Sequence, residues 1–198
     1  MTLYLIIATS VISLICFYNQ EINHKLILNP YQVKHKNQWY RMLTSGFMHA
    51  DFMHLFVNMF VLYSFGRVVE FYYSSVFGEA GQWVYLMLYI SSIVAANAST
   101  QFKYQNSSYY NSLGASGAVS AVLFTSILFA PFTKVYIYGI IGMPGIVMGA
   151  LYLGYSYYMA KKQTDNTNHE AHFYGAVYGI LFTIVLKPEI IKFFLSQF

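Results

Sequence analysis

Apolar runs broken by short polar stretches divide this chain into six candidate spanning helices, at about 2–18, 52–75, 82–100, 115–131, 135–160 and 171–187. Each run comes near the ~20 mostly apolar residues that a helix needs to cross a bilayer. The first and second runs are separated by residues 19–51, a stretch that is polar and aromatic, carries Pro30 and is too long for a tight turn. Its composition predicts an interfacial, partly helical loop. Polar loops also precede the fourth and sixth runs, at Gln101–Ser112 and Lys161–Glu170. The fourth run is short because Pro131 closes it about fifteen residues after Ser116. At ~1.5 Å per residue such a helix falls short of the ~30 Å hydrocarbon core, so it is expected to begin below the membrane surface.

Composition strengthens the membrane reading. Of the 198 residues, 57% are hydrophobic and 9% charged, against about 25% charged in soluble domains. The mean hydropathy is +0.46. The 20 Tyr and 17 Phe include candidates for an aromatic belt at the lipid–water boundary. The net charge of +4 comes from scattered basic residues that form no stripe, so nucleic acid is not an expected partner. Cys16 has no internal partner for a disulfide. The opening run lacks a basic flank and a small-residue cleavage site, which predicts a retained span rather than a signal peptide. The expectation is a single membrane domain over 1–198, with a prokaryotic cell membrane as its location because no eukaryotic targeting segment is visible. Seven basic residues fall in loops on one side and four on the other, which by the positive-inside rule puts the amino terminus outside.

Three polar clusters interrupt the apolar pattern. His49, His54 and Asn58 lie at the start of the second span; Gly114, Ser116 and Gly117 at the start of the fourth; His172, Gly175 and Gly179 at the start of the sixth. Spans two, four and six run in the same direction, so their amino-terminal ends share one face of the membrane whichever way the chain inserts. Polar groups inside spans are costly and turn toward the bundle interior. His54 and Asn58 share a helix face, as do His172, Gly175 and Gly179. Small residues on spans four and six permit close backbone approach, which would set His172 beside Ser116. A serine hydroxyl becomes a nucleophile when an imidazole accepts its proton. His54, Asn58 and the Ser116 amide are candidate oxyanion donors. Asp51 and Glu170 stand at helix entrances, where capping or dipole roles are expected, so a Ser–His dyad is predicted rather than a triad. His169-Glu170-x-His172 lacks the His-Glu-x-x-His spacing of zinc proteases, and no metal or cofactor is expected.

These segments resemble the rhomboid family of intramembrane serine proteases. The matching text is Trp39-Tyr40-Arg41, the His49-x4-His54-x3-Asn58 element, Gly114-Ala115-Ser116-Gly117-Ala118, and Ala171-His172-x2-Gly175-x3-Gly179, in order and spacing from about residue 1 to 187. The resemblance implies an all-α polytopic membrane protein, a rhomboid-like six-transmembrane-helix bundle that cleaves transmembrane protein substrates. It implies Ser116 as nucleophile, His172 as base, and His54 and Asn58 at the oxyanion. His49 and Arg41 would be structural, holding the first loop through hydrogen bonds. It also implies a cytoplasmic amino terminus with the site opening outward, against the charge count. One position departs from the family: an aromatic often stands four residues after the nucleophile, where it stacks on the base, and here that position is Ser120. Support for His172 is then expected from a hydroxyl or a Tyr on another helix.

Two other classes compete with an active protease: a catalytically silent relative that holds membrane clients, and a metal or solute transporter. The presence of both Ser116 and His172 weighs against the first. The scarcity of acidic and metal-binding groups elsewhere in the spans weighs against the second. Pro144, with Gly139, Gly142, Gly145 and Gly149, predicts a bendable fifth span that gates substrate entry.

Overall fold

The computed structural model describes every residue except Tyr138, Gly139, Gln163 and Asn166, with the backbone alone described at Ile137 and Ile141. It is mostly helical. Helix α1 covers Thr2–Tyr18. The stretch that follows folds into three short helices, α2 (Gln20–Leu26), α3 (Pro30–Lys36) and α4 (Arg41–Thr44), and a single 3₁₀ turn at Ser45–Phe47. Local sequence explains these ends. Asn19 and Asn29 accept hydrogen bonds from the amides of Ile22 and Gln32 at the starts of α2 and α3. Pro30 occupies the first turn of α3, where its missing N–H costs nothing.

Helices α5 (Phe52–Phe77) and α6 (Gly81–Tyr104) form one long apolar stretch folded back at Gly78, whose φ of 59° suits a residue without a Cβ. By length and hydropathy this stretch is able to cross a membrane, whereas Thr2–Tyr18 and Ser116–Phe129 are shorter apolar helices. Helix α7 (Ser116–Phe129) is the core of the molecule: every residue from Gly117 to Phe129 is buried. A helix that is apolar on all sides needs protein on all sides, and α7 packs against α5, α6 and α9. Helices α8 (Gly145–Lys162), α9 (His169–Leu186) and α10 (Glu189–Leu195) complete the chain.

The expected fifth span is corrected. Residues 134–137 and 141–144 are strands rather than helix: β1 (Lys134–Ile137) and β2 (Ile141–Pro144) pair antiparallel before α8 begins. The run Val135-Tyr136-Ile137 is β-branched and aromatic and favours a strand. Pro144 removes a backbone donor that a helix interior requires. The fold remains mostly helical, with this two-stranded ladder between α7 and α8. Pro144 also precedes α8 rather than bending it, so the proline-kink argument for gating falls; Gly139 lies outside the described residues.

The outer surface is apolar. Phe52, Phe56 and Phe60 of α5, Leu151 of α8 and Val185 of α9 are each at least 59% exposed, which water would not tolerate as a continuous surface.

Candidate active site

The site is built where the amino-terminal ends of α5, α7 and α9 meet. Two glycines on α9 bring it against α7. A Cβ at Gly175 would overlap the Gly117 carbonyl oxygen and one at Gly179 the Ala121 carbonyl oxygen, so the two backbones touch. A Cβ at Gly117 itself would lie 2.5 Å from Ala96 of α6 and 3.2 Å from the Ala171 carbonyl oxygen of α9. Thr125 adds a hydrogen bond from its hydroxyl to the Gly179 carbonyl at 3.1 Å. This close approach sets Ser116, first residue of α7, against His172 in the first turn of α9. Their Oγ and Nε2 atoms are 2.7 Å apart.

Ser116 is also held from the loop before it. Gly114 has φ of 131°, a conformation that side chains oppose. Its amide donates to the Ser45 carbonyl at 3.0 Å. Two residues earlier, Ser112 exchanges both backbone hydrogen bonds with Leu28 of the first loop. Asn168, which caps α9 by accepting from the Ala171 amide, donates to Ser112 Oγ and Thr100 Oγ1. The nucleophile candidate and the base candidate thus share a support.

His54 faces the same point from α5. A Cβ at Gly114 would stand 3.4 Å from His54 Nε2, 3.1 Å from its Cε1 and 3.6 Å from Ser116 Oγ. Because Gly114 has no Cβ, an open position lies between the His54 ring and the serine hydroxyl. Nδ1 of His54 is 3.5 Å from the Ala50 amide, the acceptor side of a long hydrogen bond. That assigns the proton to Nε2, the atom facing the open position. Asn58, one turn along, donates from Nδ2 to the His54 carbonyl at 2.9 Å.

His49 is buried beneath His54, with its ring set edge-on at 4.9 Å between centroids. The Ser13 hydroxyl donates to the Phe47 carbonyl, so its lone pair accepts from His49 Nδ1–H at 2.9 Å. Burial pushes the His49 pKa down to about 3, with the neighbouring His54 adding to the effect, so the ring is neutral. Arg41 is 7% exposed and donates from Nη1 to the carbonyls of His24 and Ile27, both at 2.7 Å, and from Nε to Gln38 Oε1. It ties the end of α2 to α4, within the loop that braces Gly114.

Neither flanking carboxylate hydrogen-bonds His172 among the described residues. Asp51 caps α5 by accepting from the His54 amide at 2.8 Å, and Glu170 pairs with Lys103 at 2.5 Å. Asp165 is taken by His169 Nε2 at 3.1 Å. Two rings meet the His172 imidazole among the described residues: Tyr152 of α8, stacked with 6.2 Å between centroids and 18° between planes, and His169, edge-on at 5.8 Å. Tyr152 is the one carried by another helix. Its hydroxyl lies 2.9 Å from that of Ser120. Tyr152 was not singled out by the sequence. The signal that points to it is the hydroxyl at Ser120, small where an aromatic would be expected, together with a Tyr-rich helix close by.

The sequence model of the Rhomboid domain matches residues 36–189, a span that contains Arg41, His49, His54, Asn58, Ser116, Tyr152 and His172. Among known proteins, the chain is 25% identical over 166 residues to RHOMBOID-like protein 12, mitochondrial, of Arabidopsis thaliana, covering 78% of this chain and 49% of that protein. It is 29% identical over 164 residues to Rhomboid-like protein 11, chloroplastic, of the same plant, covering 75% and 53%. It is 30% identical over 151 residues to the human Presenilin-associated rhomboid-like protein, mitochondrial, covering 70% and 36%. The chain therefore spans about half or less of the length of these relatives. Their names place them in organelles of eukaryotes, which gives no support to a prokaryotic location. On the match over most of its length, the chain belongs to the rhomboid family.

Proposed function

We propose that this protein is an intramembrane serine endopeptidase that cleaves transmembrane protein substrates with a Ser116–His172 dyad. The observation that carries the reading is the 2.7 Å contact between Ser116 Oγ and His172 Nε2. In this mechanism His172 accepts the serine proton as Oγ attacks the scissile carbonyl carbon. The oxyanion develops in the open position over Gly114. There it meets the Nε2–H of His54, the Ser116 amide and the amino-terminal end of the α7 dipole. Asn58 already donates one N–H to the His54 carbonyl; its second amide N–H is the one available to the oxyanion. Protonated His172 then gives its proton to the leaving amine as the C–N bond breaks. Water, deprotonated by the same ring, hydrolyses the acyl-enzyme and restores Ser116.

In this proposal α1, α5, α6, α7, α8 and α9 span the bilayer, their exposed aromatic and aliphatic side chains facing lipid. Helix α7, with 14 residues, extends only ~21 Å at 1.5 Å per residue. A start at Ser116 supports a hydroxyl that lies within the membrane's thickness, at the depth of a substrate helix end. The supporting loop and the ends of α6 and α9 would line a polar opening that admits water.

The test is cleavage of a fluorescent single-span reporter in liposomes by the wild type, Ser116→Ala and His172→Ala, each verified as folded. Cleavage that both substitutions abolish supports the dyad. Cleavage that survives in Ser116→Ala refutes it. A wild type that binds reporters but cuts none transfers the reading to a client-binding protein.

A further inference from the structure

We propose that Tyr152, braced by Ser120, is the positioning residue that holds the His172 ring in line with Ser116. Base alignment would then depend on the seating of α8. The inference rests on the Ser116–His172 reading above and adds a third participant to it.

Three observations carry it. First, among the described residues no carboxylate hydrogen-bonds His172, and the side-chain hydrogen bond that its ring makes there is the one with Ser116. Second, the Tyr152 ring lies nearly parallel to the imidazole, at 18° and 6.2 Å, within the range of an offset stack. His169, on the same helix as His172, meets that imidazole edge-on at 5.8 Å. Third, Tyr152 is itself tied to α7 by the 2.9 Å hydroxyl pair with Ser120. Ser120 lies one turn from Ser116 on the same helix, so the brace and the nucleophile move together.

The consequence follows from where Tyr152 sits. An aromatic carried by α7 would travel with Ser116 whatever the neighbouring helices did. Here the ring belongs to α8, which packs chiefly on α9. Displacing α8 would withdraw the ring and leave His172 free to rotate away from Ser116. A misplacement of about 1 Å at reacting groups costs on the order of 100-fold in rate. Movement of α8 would therefore set the activity of the dyad.

The experiment uses the intact protein in detergent, with Tyr152→Leu, Tyr152→Phe and Ser120→Ala beside wild type. Two readouts are taken: reporter kcat and KM, and the rate at which a small fluorophosphonate labels Ser116. The small probe needs no helix-sized entrance, so its rate isolates base positioning from substrate admission. Tyr152→Leu should lower kcat and the labelling rate by about 100-fold with KM nearly unchanged. Tyr152→Phe keeps the ring and loses the brace, and should fall only about 2- to 10-fold, as should Ser120→Ala and the double variant. A Tyr152→Leu protein that labels at the wild-type rate overturns the proposal. So does a loss confined to KM, or a Tyr152→Phe as impaired as Tyr152→Leu. If Tyr152→Leu does not fold, wild-type labelling in both Tyr152→Phe and Ser120→Ala overturns it instead. A wild type that does not label at all defeats the dyad reading and this inference with it.

Discussion

Gly175→Ala offers the most direct trial of the reasoning, because it changes one methyl group and leaves every candidate reactive group in place. Gly175 lies three residues after His172, on the face of α9 that rests on α7. A Cβ there would overlap the Gly117 carbonyl oxygen and lie 2.8 Å from its carbon and 3.0 Å from its Cα. Carbon atoms prefer separations of about 3.5–4.0 Å. All three obstacles are backbone, so no side chain can rotate away, and the helices must part by roughly 1 Å. Added to a 2.7 Å contact, that shift carries Ser116 Oγ and His172 Nε2 past the ~3.2 Å reach of proton transfer. The expected loss in kcat is on the order of 100-fold, with about 1–3 kcal/mol of overpacking destabilisation.

Gly154→Ala is the control. It makes the same change on α8, where nothing lies within 4 Å of the added methyl. It should leave cleavage unaltered and stabilise the helix by about 0.5–1 kcal/mol. Reporter cleavage and fluorophosphonate labelling would be measured on both variants beside melting curves in one detergent. Wild-type labelling by a folded Gly175→Ala protein would refute the claim that α7–α9 contact sets the dyad distance.

Three further outcomes are expected. Gly114→Ala puts a methyl group in the open position between His54 and Ser116 and strains a φ of 131°; kcat should fall about 10²- to 10³-fold, the cost of an oxyanion donor, and a fall of less than threefold would argue against that position for the oxyanion. Arg41→Ala leaves the His24 and Ile27 carbonyls without their donor and should destabilise the fold by several kcal/mol, seen as a lower melting temperature. Arg41→Lys should not rescue it, because one ammonium cannot reproduce the guanidinium fork; full rescue would show that charge alone matters there. His49 is neutral in the fold down to a pKa of about 3, while in the unfolded chain it takes a proton below about 6.5. The unfolded state therefore binds more protons between these values, and stability falls as pH drops through that window. Relative to wild type, His49→Asn should show a flatter stability–pH curve from about pH 6.5 to 4; parallel curves would exclude His49 as a contributor.

What the sequence disclosed follows from how each feature is encoded. The clusters around His54, Ser116 and His172 were legible because a polar group in an apolar run has few explanations, and helix parity alone brings the three to one face. The small residues at Gly117, Gly175 and Gly179 likewise carry their meaning in their spacing. The segment 135–144 misled because hydropathy does not distinguish a β-branched strand from a helix. The β-branched and aromatic residues and the proline were all present, but an apolar run of that length outweighed them. Tyr152 was hidden for a different reason. A tyrosine on a helix already rich in tyrosines has no contrast with its neighbours, and its partner Ser120 is informative only as a missing ring. The pairing becomes visible once α8 is laid against α9, because contact between the fifth and sixth long helices is a property of tertiary packing. A small residue at a position where the family resemblance leads one to expect a large one is thus best read as a question about which neighbouring element fills the space. Here the answer ties the alignment of the proposed base to a helix that does not carry the nucleophile.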